Sequence, residues 1–189
     1  MEITYITSNP NKAKQLGWHL GYPVEHQAID LPEIQSLDIK EIVREKAKTA
    51  YGLLTKPVLV EDYSLVFNAL GKLPGPLVKW FLQEIGTKGL CKLLDNCVNR
   101  AAVAISAAGL YDGKIFHLFK GEMRGTISAG PRGKEVFGTD AIFIPEGHQK
   151  TWSEMAKDEQ IATSVRRKSL KQLEAHLHQI ELVKVGRRK

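Results

Sequence analysis

The sequence lacks the features that mark membrane proteins, secreted proteins and proteins built on cysteine. No run of eighteen or more apolar residues is present, so no membrane-spanning helix is predicted. Residues 1–5 do not have the basic and then apolar layout of a secretory signal. Cys91 and Cys97 are the only cysteines, and neither they nor the six histidines have metal-ligand spacing. We therefore expect a cytoplasmic protein with reduced thiols and no membrane partner.

An excess of one charge sign is also missing from most of the chain. The formal net charge is +6, and residues 164–189 account for all of it, with eight Lys or Arg against Glu174 and Glu181. A basic helix and tail can bind nucleic acid, but no aromatic residue lies in this segment to stack on bases. A solvated chain end explains the charge more simply. Nucleic-acid binding is kept as an alternative and is not expected.

The length and the apolar content predict a single domain. The chain has 189 residues, 43% of them hydrophobic, which is enough for one substantial core. No repeat or low-complexity linker interrupts it. We therefore predict a domain over residues 1–182 and a basic C-terminal tail over residues 183–189.

In the first third of the chain, apolar periodicity predicts strands that alternate with helices. A β-rich run at residues 3–7 leads into a helix, and a second helix begins after Asp38 as its N-cap. The uninterrupted apolar run at residues 57–60 is typical of a buried strand. We expect this strand to end at Glu61 and Asp62.

The remaining segments complete the pattern of an α/β domain with a mixed sheet. A rigid turn at residues 73–76 precedes a helix, and Thr87 opens another. Asp112 and Gly113 join two long β-like runs and predict a hairpin. Apolar spacing over residues 170–180 predicts a closing amphipathic helix.

Three features have the residue types that phosphate and metal chemistry needs. The first is the segment from Thr7 to Lys12, where a strand passes to a helix through small polar residues and a lysine. Free backbone N–H groups and the positive end of the helix dipole favour an anion there. An ordinary capped helix gives the same pattern, so the segment alone does not establish a phosphate site.

The second feature is the pair Glu61 and Asp62 at the predicted strand end. Adjacent carboxylates repel each other unless a cation or solvent relieves them, and ligands bind at the carboxyl edge of open α/β sheets. Glu33 is a third acid, in a loop, and would help to form an oxygen-rich Mg²⁺ site. Acids that merely end a strand are the simpler alternative for any one of them.

The third feature is Lys46, which lies on the apolar stripe of the second predicted helix. A lysine whose stem runs along the edge of the core is one explanation of this position. A lysine that pairs with phosphate oxygens is the other, and position alone does not choose between them.

Taken together and in order, these segments closely resemble the inosine triphosphate pyrophosphatase family from about residue 3 to about residue 175. The matching motifs are Thr7-Ser8-Asn9-Pro10-Asn11-Lys12, Leu31-Pro32-Glu33, Val60-Glu61-Asp62, Leu73-Pro74-Gly75-Pro76, Phe137-Gly138-x-Asp140, Phe143-x-Pro145-x-Gly147, Thr151-x-x-Glu154-Met155 and Ser164-x-Arg166. The resemblance implies a two-lobed α/β fold with a long mixed twisted sheet flanked by helices, and a nucleotide cleft between the lobes. It also implies a homodimer.

The activity that the resemblance implies is hydrolysis of nucleoside triphosphates to the monophosphate and pyrophosphate, acting on non-canonical purine nucleotides of the ITP, dITP or XTP type. At the phosphate end, Glu33 and Asp62 would hold Mg²⁺. Asp62 would also accept the proton of the attacking water, and Glu61 would support it. The triphosphate would be held by Thr7, Ser8, Asn9, Lys12 and Lys46.

At the base end, the resemblance implies that Phe137 stacks on the purine. The positions that would line the pocket are Gly138, Thr139, Asp140, Gln160, Ser164 and Arg166.

The chain departs from the family pattern at this base end. Thr139 stands where an aromatic residue is usual, Gln160 where a lysine is common and Val165 where a histidine is found, and Tyr63 replaces a small residue after the catalytic acid. Lysine only donates hydrogen bonds, whereas glutamine donates or accepts. We therefore expect altered or relaxed base selectivity. A catalytically weak purine-nucleotide-binding protein of the same fold is the main alternative.

Overall fold

Residues 3–20, 24–134 and 138–186 are described by a computed structural model of the chain. Strands and helices alternate through the first third of the chain, as the apolar pattern predicts. The elements are β1 (Thr4–Ile6), α1 (Pro10–Leu20), β2 (Glu25–Gln27), α2 (Ile39–Leu54), β3 (Val58–Phe67), β4 (Pro74–Gly75), α3 (Val78–Lys92), β5 (Ala101–Tyr111), β6 (Phe116–Ile127), β7 (Phe143–Pro145), α4 (Lys157–Thr163) and α5 (Val165–Gly186).

The seven strands form one open mixed sheet in the order β2-β1-β3-β5-β6-β7, with β4 paired to β3. The β1 strand lies parallel to both β2 and β3, whereas the β3, β5, β6 and β7 pairs are antiparallel. The predicted α/β class with a mixed sheet flanked by helices is therefore confirmed.

The prediction that the third strand ends at Glu61 and Asp62 is wrong. β3 continues to Phe67, because its whole length pairs with β5. On its other edge, the ladder to β1 ends at Leu59 and the ladder to β4 begins at Leu65. The two acids therefore lie in the middle of a strand, at the place where one edge of the sheet opens between two partners. The apolar run stops there because the strand leaves the closed part of the sheet.

Three buried apolar clusters hold the elements together. Two of them surround the first half of β3 and include residues of α1, α2 and α5, such as Leu16, Val43 and Leu173. The third surrounds the second half of β3 with residues of α3 and β7, such as Leu90 and Phe143. Full burial of one large apolar side chain contributes about 1.5–3 kcal/mol. The acids of β3 thus lie between two separately packed parts of one domain.

The helix starts follow the local sequence. Asn9 caps α1 through its Oδ1 atom, which accepts from the Lys12 backbone N–H at 3.2 Å. Asp38 caps α2 in the same way, with Oδ1 2.8 Å from the Lys40 backbone nitrogen. These caps satisfy N–H groups that have no partner inside a helix. The predicted cap of the second helix is confirmed.

The predicted helix start at Thr87 and the predicted hairpin are both confirmed, but their boundaries differ from the prediction. Gly86 has φ 63°, which breaks α3 just before the predicted start at Thr87. The β5–β6 hairpin is present, but its connection runs over residues 112–115, because Asp112 Oδ1 accepts from the Lys114 and Ile115 backbone N–H groups.

The last helix, α5, is 22 residues long and packs closely on the sheet. A Cβ atom on Gly121 of β6 would lie 1.9 Å from the Val165 carbonyl oxygen, so only glycine permits this approach. The helix extends to Gly186, beyond the expected domain limit at residue 182. That domain boundary stays a prediction. Each helix among the described residues is too short or too polar to span a membrane.

Candidate functional site

Three charged side chains meet where the edge of β3 opens. Lys46 comes from α2, Asp62 from β3, and Glu33 from the loop before α2. The Lys46 Nζ atom lies 2.8 Å from Glu33 Oε1 and 3.1 Å from Asp62 Oδ2. Because both oxygens contact one nitrogen, acids that are far apart in sequence share a single cation. The Lys46 side chain is 15% exposed and that of Asp62 17%, so these two are largely shielded from solvent, whereas Glu33 is 37% exposed.

The charges of this cluster stabilise one another. Burial alone would raise the pKa of Glu33, but the hydrogen bond and charge of Lys46, with the charge of Lys79, hold it below its ordinary value. Burial alone would lower the pKa of Lys46, but the charge of Asp62 and the hydrogen bond that Lys46 donates to Glu33 hold it above its ordinary value. Glu33 and Lys46 therefore stay ionised at neutral pH.

The orientation of the Asp62 carboxylate is fixed at both oxygens. Its Oδ1 atom accepts from the Tyr63 backbone N–H at 2.7 Å, and its Oδ2 atom accepts from Lys46. A carboxylate held in this way has one defined direction for a further ligand.

Glu61 points to the opposite face of the sheet from Asp62, as neighbours in a strand do. Arg166, in the first turn of α5, binds it through two hydrogen bonds, Nε to Oε2 at 2.7 Å and Nη2 to Oε1 at 3.0 Å. The Glu61 side chain is only 4% exposed. Arg166 also donates to the Lys12 carbonyl at 3.2 Å and to Gln15 Oε1 at 2.9 Å. One guanidinium therefore joins β3, α1 and α5.

A buried tyrosine lies beside this ion pair. Tyr5 of β1 is 1% exposed, and its hydroxyl makes no hydrogen bond of acceptable geometry to any described residue. Burial and the negative charge of Glu61 raise the pKa of the phenol. The hydroxyl therefore stays protonated next to Glu61 and Arg166.

The predicted phosphate segment forms a tight turn ahead of α1. The Asn9 backbone N–H donates to Thr7 Oγ1 at 3.1 Å, and Ser8 is exposed. The Lys12 side chain is exposed as well, while its carbonyl is bound by Arg166. The start of α1 is therefore tied to the strand that carries the acids.

The base-end positions lie on the loop that leads into β7 and on nearby helices. Gly138 has φ 70°, a conformation that favours glycine, and Thr139 is buried with its hydroxyl 2.8 Å from the Tyr63 hydroxyl. Burial raises the pKa of Asp140 to about 6. Phe137, the predicted stacking residue, lies outside the described residues.

Two further base-end positions have structural partners. Gln160 donates through Nε2 to the Trp152 carbonyl at 2.7 Å and to the Met155 carbonyl at 3.2 Å. Ser164 Oγ accepts from the Arg167 backbone N–H at 3.2 Å and thereby caps α5. The amide donors of Gln160 are thus occupied, which leaves its oxygen as the group available to a ligand.

Sequence reasoning did not single out Lys79, Tyr5 or Gln15. Lys79 lies in the first turn of α3, and its charge acts on Glu33. Its place directly after the turn at residues 73–76 was the signal that could have identified it. Tyr5 and Gln15 gave no such signal, because their positions follow from tertiary contacts with Arg166 and Glu61.

The donor set fits a hard divalent cation that is shared with a substrate. Within the described ranges, no three His, Cys, Asp or Glu side chains cluster as a metal site. Glu33 and Asp62 nevertheless both bind one cationic nitrogen, so their carboxylate oxygens already converge. Mg²⁺ is commonly held by one or two carboxylates together with substrate phosphates.

Fold and site together define an α/β protein whose charged groups converge at an opening of a mixed sheet. Solved structures share this fold. The Staphylococcus aureus Ham1 protein matches with a TM-score of 0.85 and 25% identity, covering 94% of this chain and 98% of that one. A HAM1 protein from Coxiella burnetii matches with a TM-score of 0.81 and 26% identity, covering 95% and 99%.

Sequence comparison gives the family. Residues 3–176 match the model of the Ham1 family. The chain is 43% identical over 179 residues to inosine triphosphate pyrophosphatase 2 of Trypanosoma cruzi, covering 93% of this chain and 91% of that protein. It is 40% identical over 174 residues to dITP/XTP pyrophosphatase of Methanopyrus kandleri, covering 90% and 93%. The chain belongs to the Ham1 family.

Proposed function

We propose that this chain hydrolyses non-canonical purine nucleoside triphosphates, of the ITP, dITP or XTP type, to the monophosphate and pyrophosphate. The observation that carries the proposal is the meeting of Glu33, Lys46 and Asp62 at the opening of β3. Family membership and the names of the two relatives support it. The chain is accordingly a hydrolase that acts on phosphoric anhydrides.

Glu33 and Asp62 would hold Mg²⁺ together with the triphosphate. When bound, the ion would neutralise phosphate charge and so favour attack by water. Lys46 would then exchange its two carboxylate partners for phosphate oxygens, because an ammonium group pairs with either kind of anion. Lys12 and the exposed Lys79 would add positive charge to the triphosphate site.

The chain's own residues would carry the proton and position the nucleophile. Asp62 would accept the proton of the attacking water, since its carboxylate has a defined direction beside Lys46. Glu61 would support it from the opposite face of β3, where Arg166 holds it. The turn from Thr7 through Ser8 to Asn9 would hold the triphosphate at the start of α1, where the positive end of the helix dipole favours an anion.

At the base end, Phe137 would stack on the purine, and the pocket would be lined by Gly138, Thr139, Asp140, Gln160, Ser164 and Arg166. For Arg166, this role requires release from Glu61, because its guanidinium is bound there in the structure. The Gln160 oxygen would accept a hydrogen bond from an exocyclic amino group more readily than it would tolerate a 6-oxo group. We therefore propose altered purine selectivity.

A homodimer and a cytoplasmic location are proposed from the resemblance. Size-exclusion chromatography with light scattering tests the first: a mass of about twice the chain mass is expected, and a monomer at all concentrations would contradict it.

The deciding experiment is a substrate panel. Pyrophosphate release is measured with ITP, XTP, dITP, GTP, ATP and dATP, with Mg²⁺ and with EDTA. We expect turnover that depends on Mg²⁺. Nucleotides with a 6-oxo purine should be preferred, but ATP and dATP should also be hydrolysed. Exclusive use of ITP and XTP would remove the altered-selectivity proposal. Purine-nucleotide binding without turnover would favour the catalytically weak alternative.

A further inference from the structure

One tyrosine connects the strand of the acids to the loop of the base end. Tyr63 directly follows Asp62 on β3, and its hydroxyl lies 2.8 Å from the Thr139 hydroxyl, 76 residues further along the chain. Its ring packs against the buried cluster around α3 and β7. The phenol therefore connects the strand of the acids, on the face that Glu61 occupies, to the loop before β7.

The loop around Thr139 is held in place by its own contacts. The Thr139 carbonyl accepts from the Ile142 and Phe143 backbone N–H groups at 3.0 and 3.1 Å, and the Asp140 carbonyl accepts from the Ser153 N–H at 3.0 Å. Thr139 is 3% exposed, so its hydroxyl needs a protein partner. Tyr63 is that partner, and the bond fixes where this turn lies relative to β3.

We propose that Tyr63 and Thr139 act as one specificity unit. Their hydrogen bond positions the Gly138–Asp140 segment at a set distance from Asp62, and that distance decides which purine edge is accepted while phosphate cleavage proceeds. Tyr63 is then a positioning residue, since it acts through Thr139 and Asp140. This inference rests on the proposed pyrophosphatase function.

A selectivity role follows from where the bond lies. It joins β3, which is fixed by its ladder with β5, to the turn, whose backbone carbonyls accept from Phe143 and Ser153. Loss of the bond therefore does not release Asp62, which keeps Lys46 and the Tyr63 backbone N–H as partners. It loosens only the turn, so substrate binding changes more than the chemical step.

A double-mutant cycle tests the proposal. Tyr63→Phe and Thr139→Val each remove one hydroxyl with little change in shape, and the third variant carries both changes. KM and kcat are measured with ITP and ATP. We expect each single variant to change the KM for ITP and the ITP-to-ATP ratio of kcat/KM about three- to tenfold, with kcat for ITP changed less than twofold.

The coupling between the two variants is the decisive quantity. If the hydroxyls act as one unit, the double variant resembles the single variants rather than their product. The proposal would be overturned if the effects of the two single variants multiply in the double variant. It would also be overturned if the ITP-to-ATP ratio of kcat/KM is unchanged, or if only kcat falls. Thr139→Ser keeps the hydroxyl and should lie closer to wild type than Thr139→Val.

Two controls separate this inference from folding and from the proposed function. Tyr111→Phe removes a hydroxyl near the hairpin end of β5, five residues from Ser106, the register partner of Tyr63, and should leave the ratio unchanged. Melting temperatures identify variants that fail to fold. If wild type releases no pyrophosphate from any nucleotide, the pyrophosphatase proposal fails. The same double-mutant cycle is then measured as binding of ITP and ATP by calorimetry. Additive binding effects, or no binding by wild type, would overturn the specificity unit.

Discussion

Glu61 and Asp62 are consecutive residues of β3, yet they belong to two separate ion pairs on opposite faces of the sheet. Asp62 contacts Lys46 of α2, and Glu61 contacts Arg166 of α5. Asp62 is therefore paired with the flexible side chain of a lysine. Glu61 is fixed by the two hydrogen bonds of an arginine guanidinium. The two faces should respond differently to mutation.

Asp62→Asn should remove most of the hydrolytic activity. The amide cannot accept the proton of the attacking water, and general-base assistance is typically worth ~10²–10⁴ in rate. Pyrophosphate release should fall by that factor, while nucleotide binding measured by calorimetry changes little. Near-normal turnover would remove Asp62 from this role.

Lys46→Met should increase the affinity of the free protein for divalent cations. Without the ammonium group, the carboxylate oxygens of Glu33 and Asp62 have no cation between them, so Mg²⁺ or Mn²⁺ should stabilise the variant more than wild type. The measurement is the melting temperature with and without each ion. Lys48→Met is the matched control, because Lys48 lies on the same helix, is exposed and pairs only with Glu45 among the described ion pairs. An equal ion effect in both variants would contradict this prediction.

Arg166→Gln should destabilise the fold strongly. It leaves the buried Glu61 carboxylate without its charged partner, and breaking a buried pair in this way typically costs roughly 3–5 kcal/mol. Urea denaturation gives the free energy of unfolding.

A second variant shows whether the buried charge causes that loss. Glu61→Gln combined with Arg166→Gln should recover part of the stability, because no uncompensated charge remains. Lys171→Ala, an exposed change on the same helix, should have little effect. A double variant that is less stable than Arg166→Gln alone would argue against this explanation.

Asp140→Asn should stabilise the protein at neutral pH and have less effect in acid. Burial raises the pKa of Asp140 to about 6, so the folded state binds its proton more tightly than the unfolded state does. Stability from the neutral carboxyl is present at low pH and is lost as pH rises through about 6. The amide of Asp140→Asn carries no charge, so the variant should have a free energy of unfolding roughly 1–3 kcal/mol higher than wild type at pH 7.5.

The free energy of unfolding of both proteins between pH 4.5 and 8 tests this prediction. The difference should shrink as the pH falls. Asp30→Asn, at an exposed position, should show no comparable pH dependence. A constant difference across the range would contradict the assignment.

The sequence predicts local structure well because caps and apolar stripes act over a few residues. The start of α2 after Asp38 and the break in α3 before Thr87 are examples. The predicted end of β3 is wrong because an apolar run reports burial, whereas strand length depends on pairing with β5. That pairing involves residues about forty positions further along the chain.

The sequence identifies which residues form the site, but it does not predict which of their side chains contact one another. Glu33, Lys46 and Asp62 were identified from the sequence, but the position of Lys46 between the acids depends on how α2 packs on β3. Tyr63 and Thr139 were both recognised as departures from the family pattern. Their hydrogen bond could not be foreseen, since a pair 76 residues apart leaves no local pattern.

The two outer strands of the sheet in the described ranges limit how copies of this chain can associate. β2 has three residues, all polar, and β7 has three residues and ends in Pro145, which has no N–H group to offer a new strand. Short, charged or proline-containing edges hinder growth of a sheet from one molecule into the next. Pairing through these two outer strands is therefore hindered, which protects the long, apolar central strands from edge-to-edge aggregation at either end of the sheet.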